Sequence, residues 1–236
     1  SAGWDLVITD RKPKRGAKLA ERLSALGVAI EVVAADVTET GAPEKAVQAA
    51  LNRFGRLDGL VNNVGVGLVK RAGEVSDEEF MALFNVDFLA AFRFVRAALP
   101  ALIESKGAIV NIGSVHARLA TPKYAHYAAT KSALDACTRG LAVDYGRQGV
   151  RANIVHPGLV ESPVNEALLA NVVPDPKKWI AEFTFTRQCL PRLTTAREVG
   201  ELVAFLLGGK ARSITGQSIF IDGGTTALLW NNEVQS

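Results

Sequence analysis

Apolar runs of strand length alternate with stretches of helical spacing along the chain. Residues 6–9 form a short strand-like run, and residues 28–34, 57–61, 108–112, 151–155 and 218–221 form others. Between them, residues 17–26 place Leu19, Leu23 and Leu26 on one helical face, with Gly27 as the stop. Residues 42–54 do the same with Val47, Leu51 and Phe54. A long helical stretch over 76–104 opens on Ser76 and Glu79, a capping-box pair whose side chains each satisfy the other's backbone N–H. Residues 124–146 and 194–207 are also helical, the latter with Thr195 and Glu198 suited to its first turn. Residues 159–191 are the least regular part, broken by Pro163, Pro174 and Pro176.

This alternation predicts an α/β fold of βαβ units: a parallel sheet covered by helices on both faces, in three αβα layers. Nearly apolar strands such as Ala108–Ile112 suit burial on both sides. No repeat, low-complexity tract or linker divides residues 1–236, so one domain is expected.

Composition narrows the function classes. Hydrophobic residues at 48% and charged residues at 22% belong to a globular chain rather than a disordered one. No apolar run approaches the roughly 20 residues of a membrane span, and no signal-peptide pattern opens the chain. Lys and Arg total 27 against 24 Asp and Glu, a scattered excess that gives no electrostatic footprint for nucleic acid. Cys137 and Cys189 have neither metal-ligand spacing nor a disulfide framework, which fits a reducing, cytoplasmic setting.

In open parallel sheets ligands bind beyond the carboxyl ends of the strands. Those positions hold Asp10, Asp36, Asn62-Asn63-Val64-Gly65, Ser114 and Pro157-Gly158. Each alone is also an ordinary turn residue. Tyr127 and Lys131 form the sharpest pair, one helical turn apart on one face. A nearby ammonium favours the phenolate, so Lys131 is expected to lower the Tyr127 pKa and make it a general acid or base. A Ser114 hydroxyl close by would polarise the carbonyl oxygen that Tyr127 protonates.

With these residues in place, the sequence resembles the short-chain dehydrogenase/reductase family. The matching segments run in family order: Asp10, Asp36-Val37, Asn62-Asn63-Val64-Gly65, Asn111-Ile112-Gly113-Ser114, Tyr127-Ala128-Ala129-Thr130-Lys131, Pro157-Gly158, Thr215-Gly216-Gln217 and Asp222-Gly223-Gly224. The resemblance implies a Rossmann-like, doubly wound sheet and a nicotinamide cofactor. Tyr127 would exchange a proton with the substrate oxygen, and Ser114 would bind that oxygen. Lys131 would hold the nicotinamide ribose. Asp10 would accept from the adenosine ribose hydroxyls, favouring NAD over NADP, although Arg11 can attract a phosphate. Asp36 and Val37 would flank the adenine, Asn63 and Gly65 would line the cofactor path, and Pro157, Gly158, Val160 and Ser162 would border the nicotinamide. The substrate would lie between Ser114, Tyr127 and a lid at 159–191, with His116, Leu159 and Val164 as contacts. His126 and His156 read as structural. The family is commonly tetrameric, so a homotetramer or homodimer is expected, through helices around Phe88 and Leu134 and a tail carrying Leu228, Leu229 and Trp230.

The sequence departs from the family pattern in three places. Asp87 stands where the family's proton relay uses Asn, and it can pair with Lys131 or, as a helix residue, face elsewhere. Val64 replaces the more usual Ala. At the front, the family's first strand, glycine-rich turn and helix, roughly 25 residues by element size, have no counterpart. Ser1-Ala2-Gly3-Trp4 reads as the end of that helix, and Gly16, Gly65 and Gly67 do not rebuild the turn. In the doubly wound order this predicts a slot about 10 Å wide beside residues 6–9, with backbone groups unpaired on both flanks.

The leading expectation is therefore an NAD-dependent dehydrogenase interconverting a secondary alcohol and a ketone, without a metal. The alternative is a non-catalytic relative that binds or scaffolds after losing the dinucleotide. A metal-dependent hydrolase has little support, because His116, His126 and His156 form no helical i, i+4 pair.

Overall fold

The computed structural model describes residues 3–25 and 27–229, and of Val164 the backbone alone. In chain order it runs β1 (Leu6–Asp10), α1 (Pro13–Ser24), β2 (Ile30–Ala34), α2 (Ala42–Phe54) and β3 (Gly59–Asn62). Then come α3 (Asp77–Phe84), a π-turn (Asn85–Leu89), α4 (Ala90–Ser105), β4 (Ala108–Ile112), α5 (Ala125–Tyr145) and β5 (Arg151–Pro157). Last are β6 (Val160–Glu161), α6 (Pro163–Val172), α7 (Pro176–Arg187), β7 (Thr194–Thr195), α8 (Ala196–Leu207) and β8 (Ser218–Ile221).

Pairing is parallel throughout, as the alternation of elements predicts. β3, β4, β5 and β8 lie side by side in that order, with Ala108 opposite Gly59 on one side and Arg151 on the other. Among the described residues β1 pairs only with β2, and β6 with β7. Alternate side chains of the central strands feed opposite layers. Ile109 packs with Val95, Leu99, Leu102, Leu141 and Val150 beneath α4 and α5, while its neighbour Val110 joins Val155, Leu206 and Ala211 beneath α8. This is the Rossmann-like three-layer arrangement.

The expected slot is present. Between β1 and β3 lies a cleft of ≈ 700 Å³, lined by Leu6, Val7, Ile8 and Thr9 on one flank and Leu60, Val61 and Asn62 on the other. Phe54 of α2, Phe94 of α4 and Leu207 of α8 close its sides. Gly3 and Trp4 are not helical, against expectation, and Trp4 leans across instead: a Cβ on Gly59 would lie 3.6 Å from its ring. Ser1 and Ala2 lie outside the described residues.

Most elements fall where the pattern places them. Three segments differ. Residues 159–191 are not an irregular loop but carry α6 and α7. Pro163 and Pro176 sit in the first helical turn, where no N–H is needed, and Ser162 and Asp175 cap the two helices. The helical stretch over 76–104 is interrupted by the π-turn at Asn85–Leu89. Helix α1 starts at Pro13 rather than 17, by the same first-turn use of proline; Leu26 lies outside the described residues. Among the expected contact residues, Leu134 is buried with Ala91, Ile154 and Phe88 inside this chain and offers no outer face. Phe92, Met81 and Val143 are the exposed apolar residues of that region. Leu229 is exposed, and Trp230 lies outside the described residues.

Because β4 is paired on both edges and β1 on one, their amides should differ in protection. Hydrogen exchange followed by mass spectrometry is expected to show Ala108–Ile112 opening only with global unfolding, and Leu6–Asp10 exchanging through local opening.

Candidate active site

The carboxyl ends of β3 and β4, the π-turn and the first turns of α5 converge on one buried cluster. Tyr127 and Lys131 stand on α5, with the Lys131 Nζ 5.5 Å from the Tyr127 ring centroid. Asp87 projects from the π-turn, and its Oδ2 lies 3.4 Å from the Lys131 Nζ, both side chains almost wholly buried. The wider turn re-aims one residue inward, a use for which π-turns are typical. Asp87 Oδ1 accepts from the Val66 N–H at 2.8 Å, which fastens the loop after β3. Gly65 in that loop has no room to change, since a Cβ there would come within 3.0 Å of the Lys131 Nζ. Asp87 therefore faces Lys131 and not elsewhere.

The electrostatics of the cluster differ from the expectation at Tyr127. Burial pushes the phenol up to about 12, and the Asp87 carboxylate adds to the rise, while the nearby Ser114 hydroxyl pulls the other way. The expected fall does not occur, and the ammonium lies against Asp87. Burial also pushes Asp87 up, against the pull of Lys131 and the Val66 N–H. It pushes Lys131 down, against Asp87.

Ser114 begins a short 3-10 turn, where its Oγ accepts the His116 N–H. His116 returns to the same hydroxyl through Nδ1 at 3.2 Å and stacks on Tyr124. His156, expected to be structural, holds Ser114 from below. Its Nδ1 lies 3.1 Å from the Ser114 N and 2.9 Å from its carbonyl oxygen, and its Nε2 meets Asp135 at 3.2 Å. Gly113 makes room for that ring, since a Cβ there would sit 2.4 Å from the His156 Nδ1. Nothing periodic in the sequence marks this pair; its position just before Pro157-Gly158 is the one cue for His156. A second network ties β3, β4 and α5: Asn62 donates to Asn111 at 2.8 Å, and Asn111 to Thr138 at 2.8 Å. Elsewhere, His126 bonds the Leu68 carbonyl as a structural residue.

The other expected positions divide. Asp10, at the end of β1, accepts from the Lys12 N–H at 2.8 Å and from Arg15 at 2.6 Å. Burial opposes its charge, but these donors outweigh it and hold the carboxyl below the usual range. Thr38 holds Asp36 low in the same way, with Arg11 3.9 Å away. Val37 and Asn63 line the cleft. Gly158 packs against Asp222, where a Cβ would lie 2.9 Å from its Cα. The Ser162 hydroxyl is occupied as the cap of α6. Pro157 ends β5, Val160 starts β6, and Leu159 is half-buried between them. The Val164 side chain lies outside the described residues.

The family model described as enoyl-(acyl carrier protein) reductase matches residues 1–226. The chain belongs to the short-chain dehydrogenase/reductase family. It is 34% identical over 229 residues to oxidoreductase UcpA of Escherichia coli (strain K12), covering 95% of this chain and 86% of that one. It is 32% identical over 231 residues to trans-4-hydroxycyclohexanecarboxylate dehydrogenase of Sinomonas cyclohexanicum, covering 95% and 84%. The solved gluconate 5-dehydrogenase of Burkholderia cenocepacia J2315, in complex with NADP and tartrate, superposes with a TM-score of 0.86 at 31% identity, covering 96% and 87%. This short-chain family member is thus a nicotinamide-dependent oxidoreductase by kinship. Its strand ends fit such a group in part: Asp10 and Asp36 offer carboxylate acceptors at the ends of β1 and β2, and Val37 and Asn63 line the cleft between β1 and β3.

Two substitutions test this geometry. Gly113→Ala is expected to cost about 1–3 kcal/mol in urea unfolding, through the clash with His156. Asp87→Asn removes the carboxylate that raises Tyr127, so the phenol pKa should fall. Phenolate absorbance, taken as the difference from the same variant carrying Tyr127→Phe, would show its titration at lower pH.

Proposed function

We propose that the chain is an NAD-dependent dehydrogenase interconverting a secondary alcohol and a ketone, with Tyr127 as general acid and base. The observation that carries the reading is the buried Tyr127, with Ser114 close enough to favour its phenolate and the Lys131 Nζ 5.5 Å from its ring centroid. Ser114 would orient the substrate oxygen and Tyr127 would exchange its proton. Lys131 would hold the nicotinamide ribose while supplying positive charge to the pocket. Asp87 would keep that ammonium in place. The cofactor, when bound, supplies or accepts the hydride. Asp10 and Asp36 would accept from the adenosine half, with Val37, Asn63 and Gly65 along its path and Pro157, Gly158 and Val160 at the nicotinamide end.

The proposed preference for NAD rests on Asp10, whose carboxylate would meet a 2′-phosphate with like charge. Arg15 already neutralises part of that charge, so Asp10→Ala is expected to improve NADP use. Kinship to a hydroxycyclohexanecarboxylate dehydrogenase supports a secondary alcohol as the reacting group. Leu159 and His116 would border the substrate next to Ser114, and α6 and α7 would serve as its cover. No helix among the described residues is long and apolar enough to cross a membrane. The free thiols Cys137 and Cys189 support a cytoplasmic location. Exposed Phe92, Met81 and Val143 would serve the proposed homo-oligomer.

A phenol raised to about 12 is protonated at neutral pH and ready to donate to a ketone. Alcohol oxidation needs the phenolate, so its rate should climb with pH while ketone reduction stays level through neutrality. Turnover of an alcohol and ketone panel, followed at the reduced-nicotinamide absorbance, tests the reading. Tyr127→Phe should lower kcat by about 10²–10⁴-fold and leave NAD binding intact. No turnover by the parent chain, together with no calorimetric binding of NAD or NADP, would sink it.

A further inference from the structure

The proton that Tyr127 handles must reach solvent, and the two sides of the site differ in how they allow it. On one side Lys131 and Asp87 are sealed together, with side chains 4% and 0% exposed. The ammonium is held by the carboxylate, and Asp87 Oδ1 is occupied by the Val66 N–H. On the other side a line of hydrogen-bonding groups runs outward. The Ser114 hydroxyl lies near enough to the Tyr127 phenol to favour the phenolate. The His116 Nδ1 lies 3.2 Å from that hydroxyl, and its Nε2 lies 2.9 Å from the Thr121 Oγ1. Thr121 is exposed. The ring is fixed by stacking on Tyr124 at 4.9 Å and by edge contact with Tyr127 at 5.5 Å, and these are the titratable groups whose rings it meets.

We propose that His116 relays the proton between Tyr127 and solvent through Ser114 and Thr121. The inference rests on the dehydrogenase reading and adds a route to it. All four groups can point their donors outward at once: phenol to the Ser114 oxygen, the serine hydroxyl to Nδ1, and the Nε2–H to the Thr121 oxygen. During alcohol oxidation the substrate hydroxyl gives its proton to Tyr127 as the hydride leaves for the nicotinamide. The Tyr127 proton passes to Ser114 Oγ, the serine's own proton to Nδ1, the Nε2 proton to Thr121, and the threonine's proton to water. One proton enters the line and one leaves. Ketone reduction runs the same line inward. Burial holds the His116 pKa below its usual value, so the imidazole is neutral at rest and its Nδ1 is free to accept.

Two measurements decide the proposal, one of them without turnover. Nitrogen NMR of the labelled imidazoles should find His116 as the Nε2–H tautomer, with its titration displaced in both Ser114→Ala and Thr121→Val. A different tautomer, or a titration unmoved by either change, would overturn the relay whatever the enzyme assay shows. In the assay, with cyclohexanol and NAD as the probe pair, His116→Ala should lower kcat about tenfold or more while KM holds within about twofold. Added imidazole should restore the rate in proportion to its concentration, and His116→Gln, which cannot carry a proton, should stay as slow. A rise in KM without imidazole rescue would make His116 a substrate contact and overturn the relay. If the parent chain turns over nothing, the dehydrogenase reading fails, and the NMR result still decides whether His116 is coupled to Ser114 and Thr121.

Discussion

The contact between Asp87 and Lys131 organises everything around it. Two opposite charges buried this deeply are tolerable only together, because each alone would face the full cost of leaving water. Their pairing therefore fixes three otherwise independent pieces of chain. It sets the π-turn that delivers Asp87, the first turns of α5 that deliver Lys131 and Tyr127, and the loop after β3 that is held through the Val66 N–H. Gly65 is tied to the same contact by the lack of room beside the ammonium. Ser114 then arrives from β4, steadied from beneath by His156 and Asp135.

The same pairing sets the chemistry. An unpaired ammonium beside a phenol would favour the phenolate. With its charge shared with a carboxylate, Lys131 leaves Tyr127 under the control of burial, and the phenol stays protonated well above neutrality. An Asn at position 87 would bond to the lysine without neutralising it, so one change of residue type separates two electrostatic regimes. The strand-end carboxylates at Asp10 and Asp36 lie in the opposite regime: local N–H groups and arginines keep them charged.

Much of this was legible in the sequence, for physical reasons. A strand buried on both faces announces itself by a nearly continuous apolar run, which is why Ala108–Ile112 was found to the residue. The capping box at Ser76 marks a helix start correctly, because it is a local interaction with a fixed spacing, while Thr195, read as a first-turn residue, is the N-cap of α8. The open slot between β1 and β3 also followed from element order. What escaped was either ambiguous locally or set by tertiary contact. Pro163 and Pro176 read as breakers although each opens a helix, since proline suits both uses. The π-turn at Asp87 has no periodic signature. The rise at Tyr127 comes first from burial and then from the Asp87 carboxylate, neither of which spacing along α5 can reveal. His156 reads as structural, but its hold on Ser114 emerges only in the fold, where its ring fills the space over Gly113.

The charge state of Lys131 tests the central claim most directly. Nitrogen NMR of the labelled lysine side chains, at neutral pH and in the absence of substrate, should show the Lys131 Nζ as a slowly exchanging ammonium whose signal shifts when Asp87 is changed to Asn. A neutral amine at Lys131, or an ammonium signal indifferent to Asp87, would contradict the claim that this buried pair holds the site together.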